Sequence, residues 1–397
     1  MHEEFIIRNF GPLKDIHLPE LRPVMVFVGA SGSGKSLLLK VLAMVRHIAK
    51  KAIIREALKS SGVKRTPFRL RLDTYLQFSG FEALLQHDTE IRYLLRWDGK
   101  HSCEVVLDKA HGLKVSMVSQ AASPGPFLKI AFVSDLRNLV AAWGQRSSLA
   151  QQSRTLDSHF AETLDLWEEA RDALKDTDLT LDFLKATVSS REKQNGDRPR
   201  VFVKTLDGRR TPLEKGASGY RSSIPLALIL RYLVQSYDFS AAIKRSYLET
   251  LLNDLMAQSQ GNSLPKTQKI QRFSGNFLCI LVEEPELSLD PDTQILLAEE
   301  LMGVLAQKRT DQSAPETSLF FTTHSPYWIV ALNTILTEKS CSALTWEKLG
   351  GYWITPEGNL KDLRDEEAQL LATPNMDEAT QGLDARYNLA VSQEERG

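Results

Sequence analysis

The chain has 397 residues, with 49 Lys or Arg and 50 Asp or Glu, and therefore a formal net charge of −1. This length is enough for one large domain or two modest ones. The balanced charge argues against a protein that binds a polyanion over its whole surface, so any nucleic-acid contact has to be local.

Neither membrane insertion nor secretion is indicated. No apolar run is long enough to span a bilayer, and Met1-His-Glu-Glu lacks the basic-then-apolar layout of a signal peptide. The cysteines Cys103, Cys279 and Cys341 lie far apart and lack metal-ligand spacing, and Cys279 falls inside an apolar run that is typical of a core strand. We expect a cytoplasmic protein with reduced thiols.

Short strands are predicted first, in residues 3–28, with a turn at Gly11-Pro12. The next segment, Gly29-Ala-Ser-Gly-Ser-Gly-Lys-Ser36, is a complete G-x-x-x-x-G-K-[ST] phosphate loop. An apolar strand, Val24–Val28, precedes it and a strongly helix-forming run follows it. In a strand–loop–helix unit the backbone N–H groups and the helix N-terminus point at nucleotide phosphates.

The phosphate loop predicts that the chain binds a nucleoside triphosphate. The Lys35 ammonium is expected to reach the β- and γ-phosphates, and the Ser36 hydroxyl to ligate Mg²⁺. The residues expected to contact ATP in this loop are Gly29, Ser31, Gly32, Ser33, Gly34, Lys35 and Ser36.

The helix after the loop is predicted to run to about Ser60, and it carries a local excess of positive charge. Residues 46–71 contain nine Lys or Arg against one acid, and Lys51, Arg55 and Lys59 recur at four-residue steps that form one stripe on a helix. The stripe is either a solvated face or a site for an anionic partner. A protein partner is favoured over DNA because the chain as a whole is not basic and no stacking aromatic residues interleave the stripe.

Two segments of different character follow. Residues 67–133 are predicted to be β-rich, and Asp98-Gly99 between two apolar runs indicates a hairpin. Residues 134–190 are predicted to be helical. An apolar stripe of about two heptads is too short for a coiled-coil arm and favours a helix packed on the body of the protein. Its residues are Phe160, Leu164, Trp167 and Leu174.

A small-residue loop opens an apolar helix at Ala217-Ser-Gly-Tyr-Arg. Ser218 and Gly219 would lie at the helix N-terminus, which favours an anion. Because Lys35 already serves the phosphates of its own loop, this second anion seat is expected to cap a nucleotide bound to a neighbouring copy. An ordinary helix cap is the alternative interpretation.

Two later strands end in groups suited to phosphoryl chemistry. Phe277–Val282 leads into Glu283, placed to hold the Mg²⁺ hydration shell, and Glu284, placed to polarise the attacking water. Asp290, in the Leu-Asp-Pro segment just beyond, is a further candidate for ATP binding. The next strand ends at His324, which could hydrogen-bond the γ-phosphate and orient the water.

These motifs, in this order, resemble those of the ABC-class ATPases. The branch they are most similar to comprises the stand-alone ATPases of the OLD, Septu and PARIS bacterial defence systems, relatives of the SMC heads, with the PARIS ATPase subunit the nearest single resemblance. The opening segment Glu4-Phe-Ile-Ile-Arg-Asn-Phe-Gly-Pro-Leu-Lys-Asp belongs to this pattern. Residues 3–40 and about 215–335 carry the resemblance, whereas residues 41–210 share its layout more than its motifs.

The resemblance implies an α/β fold, namely an ABC-type P-loop ATPase head with an antiparallel β subdomain and a helical insertion. The division it implies is an ATPase core in residues 1–60 and 200–335, a β-rich subdomain in 61–133, a helical insertion in 134–199, and a C-terminal strand with an acidic tail in 336–397. It also implies a head-to-tail dimer or higher homo-oligomer with ATP at the interfaces.

Some positions depart from the wider family pattern. Glu283 stands where transporter ATPases have Asp, although OLD-like members share this Glu, and Ala217-Ser-Gly-Tyr-Arg replaces L-S-G-G-Q, so ATP hydrolysis could be slow. No Q-loop is clear, and Gln77 is only a weak candidate. Arg137, in a strand-end segment that these ATPases carry, is a candidate phosphate or interface contact.

The functional expectation is an ATP-binding and ATP-hydrolysing sensor or scaffold subunit of an anti-phage defence system. The short stretch after His324 lacks the acidic metal set of a toprim nuclease, and no HNH-type cluster is present. A separate effector, a toprim or HNH nuclease, and a phage trigger protein are therefore the expected partners, with DNA as an open possibility and no membrane. An SMC-like DNA-binding repair ATPase is the alternative, and a transporter motor or nucleotide kinase is less favoured.

Overall fold

The computed structural model of the chain describes residues 1–60, 70, 75–76, 80–109, 111–118, 125–141, 158–174, 177–191, 200–246, 273–307, 309 and 314–373. The long helices are α1 (Lys35–Ser60), α2 (Ser158–Ala173), α3 (Ser218–Arg231), α4 (Pro291–Ala306) and α5 (Pro326–Glu338). The strands are β1 (His2–Phe10), β2 (Leu13–Leu18), β3 (Val24–Gly29), β4 (Leu85–Trp97), β5 (His101–Asp108), β6 (Gly112–Val118), β7 (Phe127–Val133), β8 (Asp178–Leu181), β9 (Ala186–Arg191), β10 (Arg200–Thr205), β11 (Arg210–Pro212), β12 (Asn276–Glu283), β13 (Glu316–Thr323), β14 (Leu349–Ile354), β15 (Leu360–Asp362), β16 (Arg364–Asp365) and β17 (Leu370–Leu371).

A six-stranded sheet with the order β15-β14-β3-β13-β12-β7 forms the centre of the fold. Its strands β14, β3, β13, β12 and β7 are parallel, and only β15 runs antiparallel to its neighbour. Strand β13 lies between the strand that leads into the phosphate loop and the strand that ends in the acidic pair. Because parallel strands end at one edge of a sheet, Gly29, Glu283 and Thr323 come together there.

Helix α1 lies between this sheet and a second, antiparallel sheet with the order β2-β1-β4-β5-β6. Of its 26 residues, 16 are buried, far more than the single face that a surface helix hides. Met25 and Phe27 of β3 face α1, whereas Val24 and Val26 face the opposite core, as the two-residue period of a strand requires. That opposite core is built by α2, α3, α4 and α5.

The α/β class expected from the sequence, with a phosphate loop in a parallel sheet and an antiparallel β subdomain, is confirmed. The helix after the loop ends at Ser60 as predicted. The hairpin at Asp98-Gly99 joins β4 to β5 through a three-residue loop, residues 98–100, in which Asp98 and Gly99 have positive φ values of +51° and +72°. Cys279 is buried in β12, as expected of a core strand.

The helical prediction for residues 134–190 is correct for α2 and wrong beyond it. Phe160, Leu164 and Trp167 are buried on the body of the protein, as their spacing predicts. Residues 178–181 and 186–191 are strands instead, in a four-stranded antiparallel sheet with the order β11-β10-β9-β8. The physical reason is that Ala-Thr-Val-Ser-Ser is rich in short and β-branched side chains, and β10 supplies a pairing partner that local sequence does not reveal.

Strand β7 differs from its expected place. Its residues were assigned to the β-rich segment 61–133, but β7 pairs in parallel with β12 at the edge of the central sheet. Strand β1 pairs with β2 on one side and with β4 on the other in the antiparallel sheet. The division of the chain into domains stays a prediction. Apart from Leu70, the strand predicted near residues 68–72 lies outside the described residues, as does the acidic tail beyond residue 373.

Candidate nucleotide site

The phosphate loop connects the end of β3 to the start of α1. Gly32 and Gly34 have φ values of +80° and +100°, a backbone region that favours glycine. A Cβ on Gly34 would lie 2.7 Å from Leu13 Cδ2, and one on Gly29 would lie 2.7 Å from both Ile354 O and Ser33 Oγ. At Gly29 and Gly34 a side chain would clash with neighbouring atoms, so these two positions require glycine for close packing. The loop therefore packs against the start of β2 and the end of β14.

Lys35 is buried at the first position of α1. Its Nζ donates to Gly29 O and Ala30 O at 2.8 Å each and lies 3.3 Å from His324 Nδ1. Burial lowers the pKa of Lys35 to about 8, opposed by the negative charges of Glu284 and Glu286. All three ammonium protons thus have acceptors within the site, and phosphate oxygens would have to replace some of them.

Glu283 is 1% exposed and lies against the first turn of α1. It accepts a hydrogen bond from the Ser36 hydroxyl. Its Oε1 lies 3.8 Å from Lys40 Nζ, and its Oε2 accepts a 3.4 Å hydrogen bond from the backbone N–H of Asp135. Burial raises the pKa of Glu283 to about 7, opposed by the positive charge of Lys40. The two residues predicted to serve Mg²⁺, Ser36 and Glu283, are therefore in direct contact.

Glu284 and His324 also meet, although they come from different strands. Glu284 Oε1 lies 2.9 Å from His324 Nε2. If the His324 ring is neutral, Nε2–H donates to Glu284 and Nδ1 accepts from Lys35, so one tautomer satisfies both contacts. The structure thus joins Lys35, His324 and Glu284 in one hydrogen-bonded chain.

Glu286, two residues after Glu284, is a site residue that the sequence pattern does not indicate. Its Oε1 accepts hydrogen bonds of 2.8 Å from the Thr323 hydroxyl and from the His324 backbone N–H. Burial raises the pKa of its carboxyl group. Glu286 therefore fixes the end of β13 from which the His324 side chain projects. Lys40 and Asp135 were missed as well, because their nearness to Glu283 arises only when α1, β7 and β12 pack together.

Arg137 does not have the position expected of a phosphate or interface contact. Its side chain is 0% exposed, since it lies beneath the acidic pair and donates to backbone carbonyls there. Burial lowers its pKa to about 10, opposed by surrounding carboxylates of which Glu286 is the foremost. The guanidinium therefore supports the backbone of the acidic pair from inside the protein.

Ser218 and Gly219 form the first turn of α3, where the sequence predicts an anion seat. A Cβ on Gly219 would lie 3.1 Å from Ser288 O, so this turn packs against the segment that follows the acidic pair. Asp290 is exposed and caps α4, accepting from the Thr293 N–H at 3.1 Å and from the Thr293 hydroxyl at 2.6 Å. Capping accounts for Asp290 in this structure, and its contact with ATP stays a prediction.

The donor set suits ATP and Mg²⁺. The Ser33 hydroxyl is buried in the loop without a hydrogen-bond partner among the described residues, as is Glu286 Oε2 beside His324. Within the described part of the chain no group of three or more His, Cys, Asp or Glu could hold a metal by protein ligands alone. Magnesium matches such a site because it takes one or two protein oxygens and completes its shell with phosphate and water.

The basic region near the end of α1 is less open than its sequence suggests. Arg46 is buried, Lys51 is half-buried with its ammonium 4.9 Å from the centre of the Tyr75 ring, and Lys59 pairs with Glu56 at 3.5 Å. Its remaining residues from 61 to 69 and at 71, and Gln77, lie outside the described residues. Among the described helices none is long and apolar enough to cross a membrane.

Comparison with known proteins finds resemblance only among solved structures. No protein-family model and no curated protein matches the chain. The SMC head domain from Thermotoga maritima aligns with a TM-score of 0.35 and 10% identity over 88% of this chain and 94% of that one. An SMC head bound to the winged-helix domain of ScpA aligns with a TM-score of 0.39 and 10% identity over 91% and 97%.

An SMC head with an extended coiled coil bound to the C-terminal domain of ScpA, from Pyrococcus furiosus, aligns with a TM-score of 0.38 and 10% identity over 97% and 99%. The structural neighbours are thus SMC heads, which have the ABC-type ATPase fold. Likenesses this distant carry no argument about activity, ligand or partner. The assignment of an ABC-type P-loop fold stands on the chain's own strand order and phosphate loop.

Proposed function

We propose that the chain binds ATP with Mg²⁺ and hydrolyses it at the carboxyl edge of the central sheet. The observation that carries the proposal is the convergence of Lys35, Ser36, Glu283, Glu284 and His324 from three separate segments of the chain. A glycine-rich turn that fits the phosphate-loop pattern by chance would not be surrounded by two carboxylates and an imidazole that contacts both Glu284 and Lys35.

Each residue has a defined task in this proposal. The loop amides and Lys35 bind the phosphates, and Ser36 with Glu283 hold Mg²⁺, which would neutralise the charge that develops on the β- and γ-phosphate oxygens. Glu284 accepts a proton from the attacking water, and His324 orients Glu284 and the γ-phosphate. Phosphoryl transfer needs positioning and charge stabilisation more than covalent chemistry, which this set of groups can supply.

ATP binding is tested by titrating the purified chain with a fluorescent ATP analogue. Lys35→Ala removes the ammonium and is expected to weaken binding by about 10-fold or more, the effect of losing a charge-assisted hydrogen bond. Lys100→Ala is the matched control because Lys100 is exposed in the β4–β5 turn. Equal affinity in the two variants would contradict the assignment of the phosphate loop.

We further propose that the active form is a head-to-tail dimer in which Ser218 and Gly219 of one copy cap the ATP held by the other. Support comes from the small-residue N-terminus of α3, whose dipole and free N–H groups favour an anion. Two-fold pairing would repeat the same contact at both sites.

Mixing two inactive variants tests this arrangement. In a dimer of Lys35→Ala with Ser218→Arg, one site carries both lesions and the other carries neither. Random pairing should therefore restore roughly a quarter of the wild-type ATPase rate. The Ser218→Arg protein alone should be inactive, and a wild-type rate from it would exclude the composite site.

The finer proposal is that this ATPase serves an anti-phage defence system as a sensor or scaffold for a separate effector nuclease, toprim or HNH in type, released by a phage trigger protein. Its support is the order of motifs shared with the OLD, Septu and PARIS ATPases. The test is the plating efficiency of phages on cells that express the chain with its neighbouring genes. Protection that is lost with Lys35→Ala supports the proposal, whereas sensitivity to DNA damage without phage protection would favour an SMC-like repair ATPase.

A further inference from the structure

The buried arginine beneath the acidic pair makes an unusual set of contacts. The Arg137 guanidinium donates from Nη1 to Glu283 O at 2.6 Å and to Ser134 O at 3.2 Å, and from Nη2 to Glu284 O at 2.5 Å. Its Nε donates to Ser222 O at 3.0 Å. A planar guanidinium carries five N–H donors in fixed directions, so these four contacts set the relative positions of their carbonyls.

The contacts fall on a residue whose backbone needs support. Glu284 has a φ of +43°, in the left-handed region that a non-glycine residue rarely adopts. The Glu284 N–H donates to Thr322 O at 3.1 Å, and the Glu284 carbonyl accepts from Arg137. The turn is therefore clamped from both sides, by β13 and by Arg137. Strained conformations of this kind persist only where the surroundings hold them.

The same guanidinium reaches a second element of the site. Ser222 lies in the first turns of α3, the helix that opens with Ser218 and Gly219. The Ser222 hydroxyl also donates to Leu287 O at 2.5 Å, beyond the acidic pair. The turn that carries Glu284 is thus fixed relative to α3 as well as to its own sheet.

We infer that Arg137 is a positioning residue for ATP hydrolysis, which holds the Glu284 turn in its left-handed conformation and ties it to the N-terminal part of α3. The inference rests on the proposed ATPase function. The Arg137 side chain is fully buried and its described hydrogen bonds all go to backbone carbonyls, among them that of Glu284, so it acts on the rate through Glu284. ATP binding depends on the phosphate loop and is independent of Arg137.

The test measures ATP affinity and the hydrolysis rate at saturating Mg-ATP separately, in full-length Arg137→Met, Arg137→Lys and Glu284→Gln. Arg137→Met should lower the saturated rate about 100-fold, the usual effect of losing a preorganised catalytic group. The affinity of Arg137→Met for ATP should stay within about 3-fold of wild type, because the variant leaves the groups that bind ATP in the ground state unchanged. Arg137→Lys keeps the positive charge but loses the planar guanidinium with its several N–H donors. Its saturated rate should fall between those of wild type and Arg137→Met.

The double variant Arg137→Met/Glu284→Gln separates positioning from general support of the fold. If Arg137 acts through Glu284, the double variant is no slower than Glu284→Gln by more than about 3-fold, whereas independent effects would multiply. Arg46→Met is the matched control, since it removes an equally buried guanidinium at 1% exposure and should lower the melting temperature without changing the saturated rate. Where Arg137→Met does not fold, Arg137→Lys takes its place in the cycle.

A near-wild-type saturated rate in Arg137→Met, or multiplied effects in the double variant, would overturn the inference while leaving the proposed ATPase intact. A wild-type chain that does not hydrolyse ATP at all would overturn both.

Discussion

Replacing Glu3 by glutamine should destabilise the protein strongly. Glu3 accepts hydrogen bonds from Arg46 Nε at 2.8 Å, from Arg46 Nη2 at 2.9 Å and from the Tyr93 hydroxyl at 2.5 Å. The three side chains are 3%, 1% and 0% exposed and come from β1, α1 and β4. Arg46 also contacts Cys279 of β12, so this network ties the helix of the phosphate loop to both sheets.

The expected magnitude follows from the burial. The three hydrogen bonds to the Glu3 carboxylate are charge-assisted, and such bonds contribute about 1.5–3 kcal/mol each to stability. Their sum is an upper limit on the contribution of Glu3, because burying the charged groups costs desolvation free energy. Breaking a buried ion pair on one side costs about 3–5 kcal/mol, because the remaining charge is left uncompensated. We therefore expect Glu3→Gln to lower the free energy of unfolding, measured by urea denaturation, by about 3–5 kcal/mol.

Two controls make the measurement specific. Glu4→Gln changes the next residue of β1, whose carboxylate is 24% exposed and pairs weakly with His17 at 3.6 Å. It should cost less than about 0.5 kcal/mol. The triple variant Glu3→Leu/Arg46→Met/Tyr93→Phe should recover most of the loss, since no buried charge remains. A Glu3→Gln cost below about 1 kcal/mol would refute this reasoning.

Three further outcomes are expected. Gly358→Ala should destabilise the protein by about 1–3 kcal/mol more than Gly208→Ala. The two glycines have nearly equal φ values of +82° and +81°, but only at Gly358 would a Cβ clash, at 1.9 Å from Pro12 O. Equal melting temperatures for the two variants would contradict this prediction. Burial raises the pKa of Glu162 to about 7, so its neutral form stabilises the fold below its unfolded pKa and that contribution is lost as pH rises through about 7. Glu162→Gln should therefore raise the free energy of unfolding by about 3 kcal/mol at pH 8 and by less than about 1 kcal/mol at pH 5. The opposite order in urea melts would count against it. The purified chain should leave plasmid DNA uncut in Mg²⁺ or Mn²⁺, and cleavage that persists through stringent purification would refute the need for a separate effector.

The part of the site that the sequence predicts is the part encoded in contiguous segments. The phosphate loop, the acidic pair and His324 each follow an apolar run, and a strand tip is visible from such a run alone. The end of α1 at Ser60 and the turn at Asp98-Gly99 are equally local, since they depend on neighbouring residues.

The part that it misses depends on packing between distant segments. Glu286 and Asp135 acquire their positions only when β7, β12 and β13 align, and Arg137 is indistinguishable in sequence from an exposed arginine. The segments of β8 and β9 were predicted as helix because local sequence does not show that β9 pairs with β8 on one side and with β10 on the other. Side-chain burial of a charged residue is a tertiary property that spacing does not encode.

The measurement that tests ATP hydrolysis at this site most directly is single-turnover conversion of radiolabelled ATP by Glu284→Gln. The variant keeps the shape of the turn but cannot accept a proton from water, so we expect normal ATP binding, a rate reduced about 100-fold or more, and accumulation of an ATP-bound dimer on size-exclusion chromatography. Glu299→Gln, at an exposed glutamate of α4, should behave as wild type. Wild-type turnover by Glu284→Gln would show that Glu284 is not the catalytic base and that the proposed site is wrong.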